Sequence, residues 1–258
     1  MARPTPRRSR RPPPGWVPNQ HGAWAMLVLP LVVGALRAGP RWPHLWLLVA
    51  WLLAYLAFFA AGRYLRSGRK PRYRPPLIAY VTAAGVVGGG LLAWQPELVR
   101  WGVVYAPLLV ASLAFSARRA ERHLLNDLLT VAAASLIAVV AFWMHDDGAW
   151  LPGSGSATAW AVAGVVFGYL VGTALYVKTM IRERGEMAWY AASVGYHVAL
   201  AVVGVWLLPP AALLFVALTI RAAAVPRLFP RARPYAIGLG EIAASVALAA
   251  VLLTSPLG

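Results

Sequence analysis

The sequence predicts an all-α fold, a polytopic transmembrane bundle of about nine spans, with the N-terminus inside and the C-terminus outside. Three observations carry this. Of the 258 residues, 60% are hydrophobic and only 12% charged, whereas a water-solvated domain carries about 25% charged residues. The apolar residues gather into nine stretches close to the ~20 residues that an α-helix needs to cross a bilayer. The cations fall between those stretches in an alternating pattern that fits an odd number of spans.

Residues 1–18 hold Arg3, Arg7, Arg8, Arg10 and Arg11 among six prolines. Such a composition cannot bury a core, so a disordered basic cytoplasmic tail is expected before a helical domain over 19–258. A cleaved signal peptide is not expected, because Gly34-Ala35-Leu36-Arg37 is a poor cleavage site. Spans are expected at 22–37, 44–62, 77–95, 99–117, 128–144, 158–177, 190–207, 211–225 and 236–255, the first and eighth being short. Trp24, Trp46, Trp94, Trp101, Trp143, Trp189 and Trp206 fall near their ends, where amphipathic rings prefer the interface. The stretch 145–157 reads as an outer loop.

With nine spans, the tail, loop 63–76, segment 118–127, loop 178–189 and loop 221–235 share one side and hold 21 of the 24 cations. The other side keeps Arg37, Arg41 and Arg100. This is the bias of the positive-inside rule, and it places the basic side in the cytoplasm. The net charge of +16 is thereby spread by topology, so nucleic acid is not an expected partner and anionic lipids are. The chain has no cysteine, which excludes disulfides and thiolate metal sites.

Three polar clusters sit at cytoplasmic span ends. Asn19, Gln20 and His21 enter span one. Arg63, Tyr64, Arg66, Arg72, Tyr73 and Arg74 lie between spans two and three. Tyr169, Thr173, Tyr176, Lys178 and Arg182 run out of span six, the first three on one helix face. Guanidinium forks among aromatic walls suit an oxyanion, phosphate above all. His21 is the candidate acid or base should chemistry occur.

Inside the spans, Glu241 is a costly acid that requires a partner, with Arg221 the nearest cation by depth. His197 reads as a hydrogen-bonded helix contact. Gly164, Gly168 and Gly172 lie on one face and read as a packing stripe, and Gly85, Gly88, Gly89 and Gly90 loosen span three. Asn126-Asp127 reads as the N-cap of span five. No two histidines sit at a matched depth that would recommend haem.

The string Pro18-Asn19-Gln20-His21-Gly22-Ala23-Trp24-Ala25-Met26 resembles the opening signature of the YwiC-like family of bacterial membrane proteins. Lys70-Pro71-Arg72-Tyr73-Arg74-Pro75, Glu121-Arg122-His123-Leu124-Leu125-Asn126-Asp127 and the run Tyr176–Gly185 resemble it also. That resemblance implies a multi-pass protein of the bacterial cytoplasmic membrane and carries no activity with it. A more distant similarity is to the UbiA-type prenyltransferases, which have nine helices and polar motifs after helices two and six. Arg74-Pro75 falls where those enzymes have an Arg-Pro pair. They hold Mg²⁺ on Asp clusters, and hard cations require such oxygen ligands. Loop 63–76 has no acid, and the second position offers only Glu183 and Glu186. No metal or other cofactor is therefore expected.

The expected function is a UbiA-like scaffold that binds an anionic lipid or isoprenoid phosphate at the cytoplasmic face through Arg and Lys. If it is an enzyme, it is a divergent prenyl-type transferase without the Asp-rich motifs. A small anion transporter or channel and a non-catalytic assembly partner are the alternatives.

Overall fold

A computed structural model describes residues 15–18, 21–144 and 157–255, with the side chains of 21–23 and 207 outside the description. Most of the expected tail, Asn19, Gln20, the side chain of His21 and nearly all of the outer loop 145–157 therefore lie outside the described residues. Among the described residues there are nine α-helices and no strand. They are α1 His21–Ala38, α2 Trp42–Arg66, α3 Arg74–Trp94, α4 Gly102–Ala117, α5 Leu124–Trp143, α6 Ala157–Val177, α7 Met187–Leu207, α8 Pro209–Leu228 and α9 Pro234–Thr254. Eight segments are long and apolar enough to span a membrane, α4 together with the turn Pro96–Trp101 before it among them, and the apolar stretch Trp24–Ala38 of α1 is shorter.

Proline sets many of the starts. Pro43, Pro75, Pro209 and Pro234 occupy the first turns of α2, α3, α8 and α9, where the missing N–H costs nothing and the fixed φ favours the helix. The eighth span is thereby longer than expected, at 20 residues. The second also outruns its expected end at 62. It stops only at a Schellman turn, where Arg69 N–H donates to the Tyr64 carbonyl at 2.9 Å, with Gly68 at φ 74°. Arg63, Tyr64 and Arg66 are thus helical residues and not loop residues.

The helix α1 is central, packed against α5, α9, α6 and α2. Chain neighbours pair around it, α7 lies against α8, and α3 is held on the outside by α2. One apolar core joins α1 to α5 through α9, and a second joins α1 to α2, α5 and the 3₁₀ turn Pro96–Trp101. The closest approach is α1 on α5: a Cβ added at Gly34 would stand 2.5 Å from the Ala138 carbonyl oxygen.

Side-chain bonds tie both ends of the bundle. At one end Arg66 pairs with Glu121, Lys178 Nζ donates to the Arg122 carbonyl at 2.7 Å, and Arg184 donates to the Ala232 carbonyl. The basic segments after α2, α4, α6 and α8 are thereby gathered together. At the far end Arg37 Nη1 donates to the Ser255 carbonyl at 2.9 Å. His44 accepts the Arg41 N–H at Nδ1 and donates from Nε2 to the Ala141 carbonyl.

The glycine stripe of α6 does pack, at two of its three positions. A Cβ at Gly168 would meet Leu200 Cδ1 at 2.9 Å and one at Gly172 would meet His197 Nε2 at 3.1 Å, while Gly164 faces open space. His197 is a helix contact, donating from Nδ1 to the Ser193 carbonyl at 2.7 Å. The helix α3 runs unbroken through Gly85, Gly88, Gly89 and Gly90; only Gly90 meets a neighbour, the Trp46 ring.

Candidate functional site

A cavity of about 1280 Å³ runs between α1, α2, α3, α4, α5, α6 and α9. Ligand pockets typically enclose about 300–1,000 Å³, so this one has room for a long molecule. Leu47, Leu91, Leu98 and Trp101 line it towards the far end, and Phe58, Phe59, Tyr105 and Leu170 line it further along. Arg63, Arg66, Glu121, Asp127, Lys178 and Arg182 line its other end. Exposed apolar residues also line it, Leu92 of α3, Leu109 of α4 and Leu239 of α9 among them.

Arg63 and Arg66 reach this end because α2 continues past residue 62, and at three residues apart they share a helix face. Arg66 pairs with Glu121, from the segment before α5. Arg63 stands 5.8 Å from the centroid of the Tyr73 ring, and Arg72 stands 5.1 Å from the same ring. Tyr73 is buried and packs beneath Gly15. Nearby, Tyr80 Oη donates to the Trp16 carbonyl at 2.7 Å, so residues 15–18 lie along the start of α3.

Lys178 is buried and strongly held. Its Nζ donates to the Arg122 carbonyl at 2.7 Å and forms an ion pair with Asp127 Oδ2 at 2.9 Å, and it lies 5.1 Å from the Trp189 ring centroid. It opens a π turn, Lys178–Arg182, closed by Glu183 N–H on the Lys178 carbonyl at 2.8 Å. Such wide turns recur at functional sites because they re-aim side chains. Here the turn leaves Arg182 Nη1 3.9 Å from Asp127 Oδ1, on the same carboxylate as Lys178.

The expected N-cap of span five is overturned. The helix begins four residues earlier, at Leu124, and His123 is the N-cap, with Nδ1 accepting the Leu125 N–H. Asn126 instead accepts from Ser112 Oγ at 2.6 Å, and Asp127 becomes the counter-ion of Lys178.

Further along α6, Thr173 Oγ1 donates to Glu241 Oε2 at 2.9 Å, and Arg221 Nη2 lies 2.9 Å from Glu241 Oε1. The partner expected for Glu241 is thus the one it has. Arg221 also lies over the Tyr176 ring, 4.2 Å from its centroid. Tyr169 Oη lies 3.0 Å from Ser245 Oγ. Thr173, Glu241 and Ser245 line the cavity.

Of the expected site residues, the structure brings Arg63, Arg66, Lys178 and Arg182 to one end of one cavity. Tyr64, Arg72, Tyr73, Arg74, Tyr169 and Tyr176 do not line it. The structure adds Glu121 and Asp127 to the site. Asp127 carried a readable signal, an acid in an apolar helix start opposite a lysine at matched depth. Glu183 and Glu186 lie outside the lining. Among the described residues no three His, Asp or Glu side chains converge on a point.

The family described as YwiC-like protein matches residues 17–142. A Bacillus subtilis (strain 168) relative, described as the uncharacterized protein YwiC, is 33% identical over 190 residues, covering 71% of this chain and 74% of the relative. A Haemophilus influenzae relative, described as an uncharacterized protein, is 27% identical over 188 residues, covering 72% of this chain and 76% of the relative. No solved structure matches.

Proposed function

The chain belongs to the YwiC-like family, and on that premise we propose that it is a bacterial cytoplasmic-membrane protein that holds an amphipathic phosphate, of the lipid or isoprenoid phosphate class, in its cavity. The single observation behind this reading is the long cavity, apolar along α2, α4 and α5 and lined at one end by Arg63, Arg66, Lys178 and Arg182. The family match over 17–142 includes both the apolar wall and Arg63, Arg66, Glu121 and Asp127.

The chemistry of the end follows from its charges. Four cations face two carboxylates, Glu121 and Asp127, leaving an excess of two positive charges. An anionic head offsets that excess, and a dianionic phosphate monoester matches it. Lys178 and Asp127 already satisfy each other, so the pair acts as a fixed floor. Arg63 and Arg182 are the less committed cations and close on the phosphate with bidentate hydrogen bonds. No metal is required for this clamp. Under the positive-inside rule the cation-rich end faces the cytoplasm. The UbiA-like arrangement remains part of this proposal, as a scaffold whose anion clamp is guanidinium in place of Asp-held Mg²⁺.

Native mass spectrometry of the purified protein tests the reading, with co-purified lipids identified and hexadecyl phosphate and a polyprenyl phosphate titrated with and without Mg²⁺. Retention independent of Mg²⁺ is the expected result. Retention that needs Mg²⁺ overturns the clamp, and no selective lipid at all overturns the whole reading in favour of transport or assembly.

A further inference from the structure

The proposed lipid phosphate carries its charge at one end, yet the cavity contains a second polar station of opposite character. Glu241 is 3% exposed, and with Thr173 and Ser245 it lines the wall. On α6, Thr173 lies five residues before Lys178, which places this station about 7.5 Å deeper at 1.5 Å per residue. It cannot take the phosphate, because its cavity-facing group is a carboxylate. Nor does it call for a cation, since Arg221 already neutralises Glu241 at 2.9 Å.

Stability does not explain the arrangement. Replacing a buried ion pair with apolar side chains of similar volume is often neutral or stabilising. What a few polar groups on an apolar wall do well is to fix the orientation of a bound molecule. A carboxylate offers about four lone-pair sites. Thr173 occupies one on Oε2, while Arg221 is ion-paired at Oε1. Ser245, held at 3.0 Å by Tyr169 Oη, adds a hydroxyl beside them.

We infer that Glu241, with Thr173 and Ser245, forms a hydrogen-bond-accepting subsite that selects an amphipathic phosphate bearing a neutral hydroxyl partway along its chain. The subsite rests on the proposed lipid-phosphate reading and narrows it. Arg221 and Tyr176 hold the carboxylate in place from behind, so their role is positioning. A ligand without a donor at that depth would leave the carboxylate facing hydrocarbon, and that unsatisfied group is the source of selectivity.

The test compares hexadecyl phosphate with a hydroxylated hexadecyl phosphate whose hydroxyl lies about 7.5 Å from the phosphate. Binding to the full-length protein in detergent is measured for wild type and for the double variant Arg221→Leu/Glu241→Leu, which removes the whole pair and so leaves no buried charge unpaired. The wild type is expected to bind the hydroxylated probe about tenfold more tightly, the effect of one hydrogen bond to a charged group. The double variant is expected to bind both probes alike, with hexadecyl phosphate bound more tightly than by the wild type because the carboxylate no longer faces its chain. Equal binding of the two probes by the wild type overturns the subsite and leaves the lipid-phosphate reading standing. A preference that survives in the double variant also overturns it. Failure of both probes to bind overturns the lipid-phosphate reading and the subsite with it.

Discussion

Lys178 Nζ on the turn after α6 lies 2.9 Å from Asp127 Oδ2 on α5, and Asp127 also faces Arg182 at 3.9 Å. The two partners are unequal. Lys178 is 4% exposed at its side chain and Asp127 19%. Asp127→Ala therefore strands a buried ammonium and is expected to cost about 3–5 kcal/mol. Lys178→Met leaves Asp127 with Arg182 and partial solvent, and costs less. The double change Asp127→Leu/Lys178→Met is expected to be nearly neutral. Thermal unfolding of the three variants in one detergent checks the order, and equal losses for both single variants would contradict it.

Arg63→Gln and Arg182→Gln are each expected to weaken hexadecyl phosphate binding about tenfold, the loss of one charge-assisted contact. Arg74, exposed and outside the cavity lining, serves as the control, and Arg74→Gln is expected to change affinity by at most about twofold. A loss at Arg74 as large as that at Arg63 would place the head outside the cavity.

Gly34→Ala is expected to destabilise the protein by about 1–3 kcal/mol, because the new methyl would press on the backbone of Ala138 and not on a movable side chain. Gly164→Ala, with open space around it, is expected to be neutral or mildly stabilising, by about 0.5–1 kcal/mol. Unfolding temperatures of the two variants give a direct comparison.

The absence of cysteine makes topology measurable with single-cysteine variants and no background. Arg69→Cys, in the turn after α2, is expected to react with an impermeant maleimide only in inverted vesicles. Glu97→Cys, in the turn before α4, is expected to react in intact cells. The reverse pattern would invert the bundle and place the cationic end of the cavity outside.

Much of the fold was legible, because hydropathy and charge alternation both act through the bilayer and report the same spans. Helix ends were less so. Residues 63–66 read as loop because they are charged, but a helix continues past the hydrocarbon layer wherever its carbonyls find caps, as the turn at Gly68 shows. The cation half of the site could be read because basic residues cluster in sequence. The acidic half was legible only in part: Glu241 stands out as an acid inside a span with Arg221 at its depth, and Asp127 lies opposite Lys178, but Glu121 is a lone acid that acquires meaning only when α2 brings Arg66 to it. Tyr169 shows the limit of face arguments. It shares a helix face with Thr173 as expected, yet the neighbour across that face is Ser245, which no local pattern announces.

The central place of α1 bears on how the protein is made. The helix carries Pro30 in its middle, and is seated by α5 through Gly34 and by α9 through the Arg37 bond to Ser255. Every helix that seats it comes later in the chain. During synthesis α1 has only its smaller contact with α2 until α5 is inserted, and its far end is fastened only once α9 is in place. Biogenesis of this bundle therefore ends where it began, with the first helix captured last, and a chain stopped short of α9 leaves the central helix loosely held.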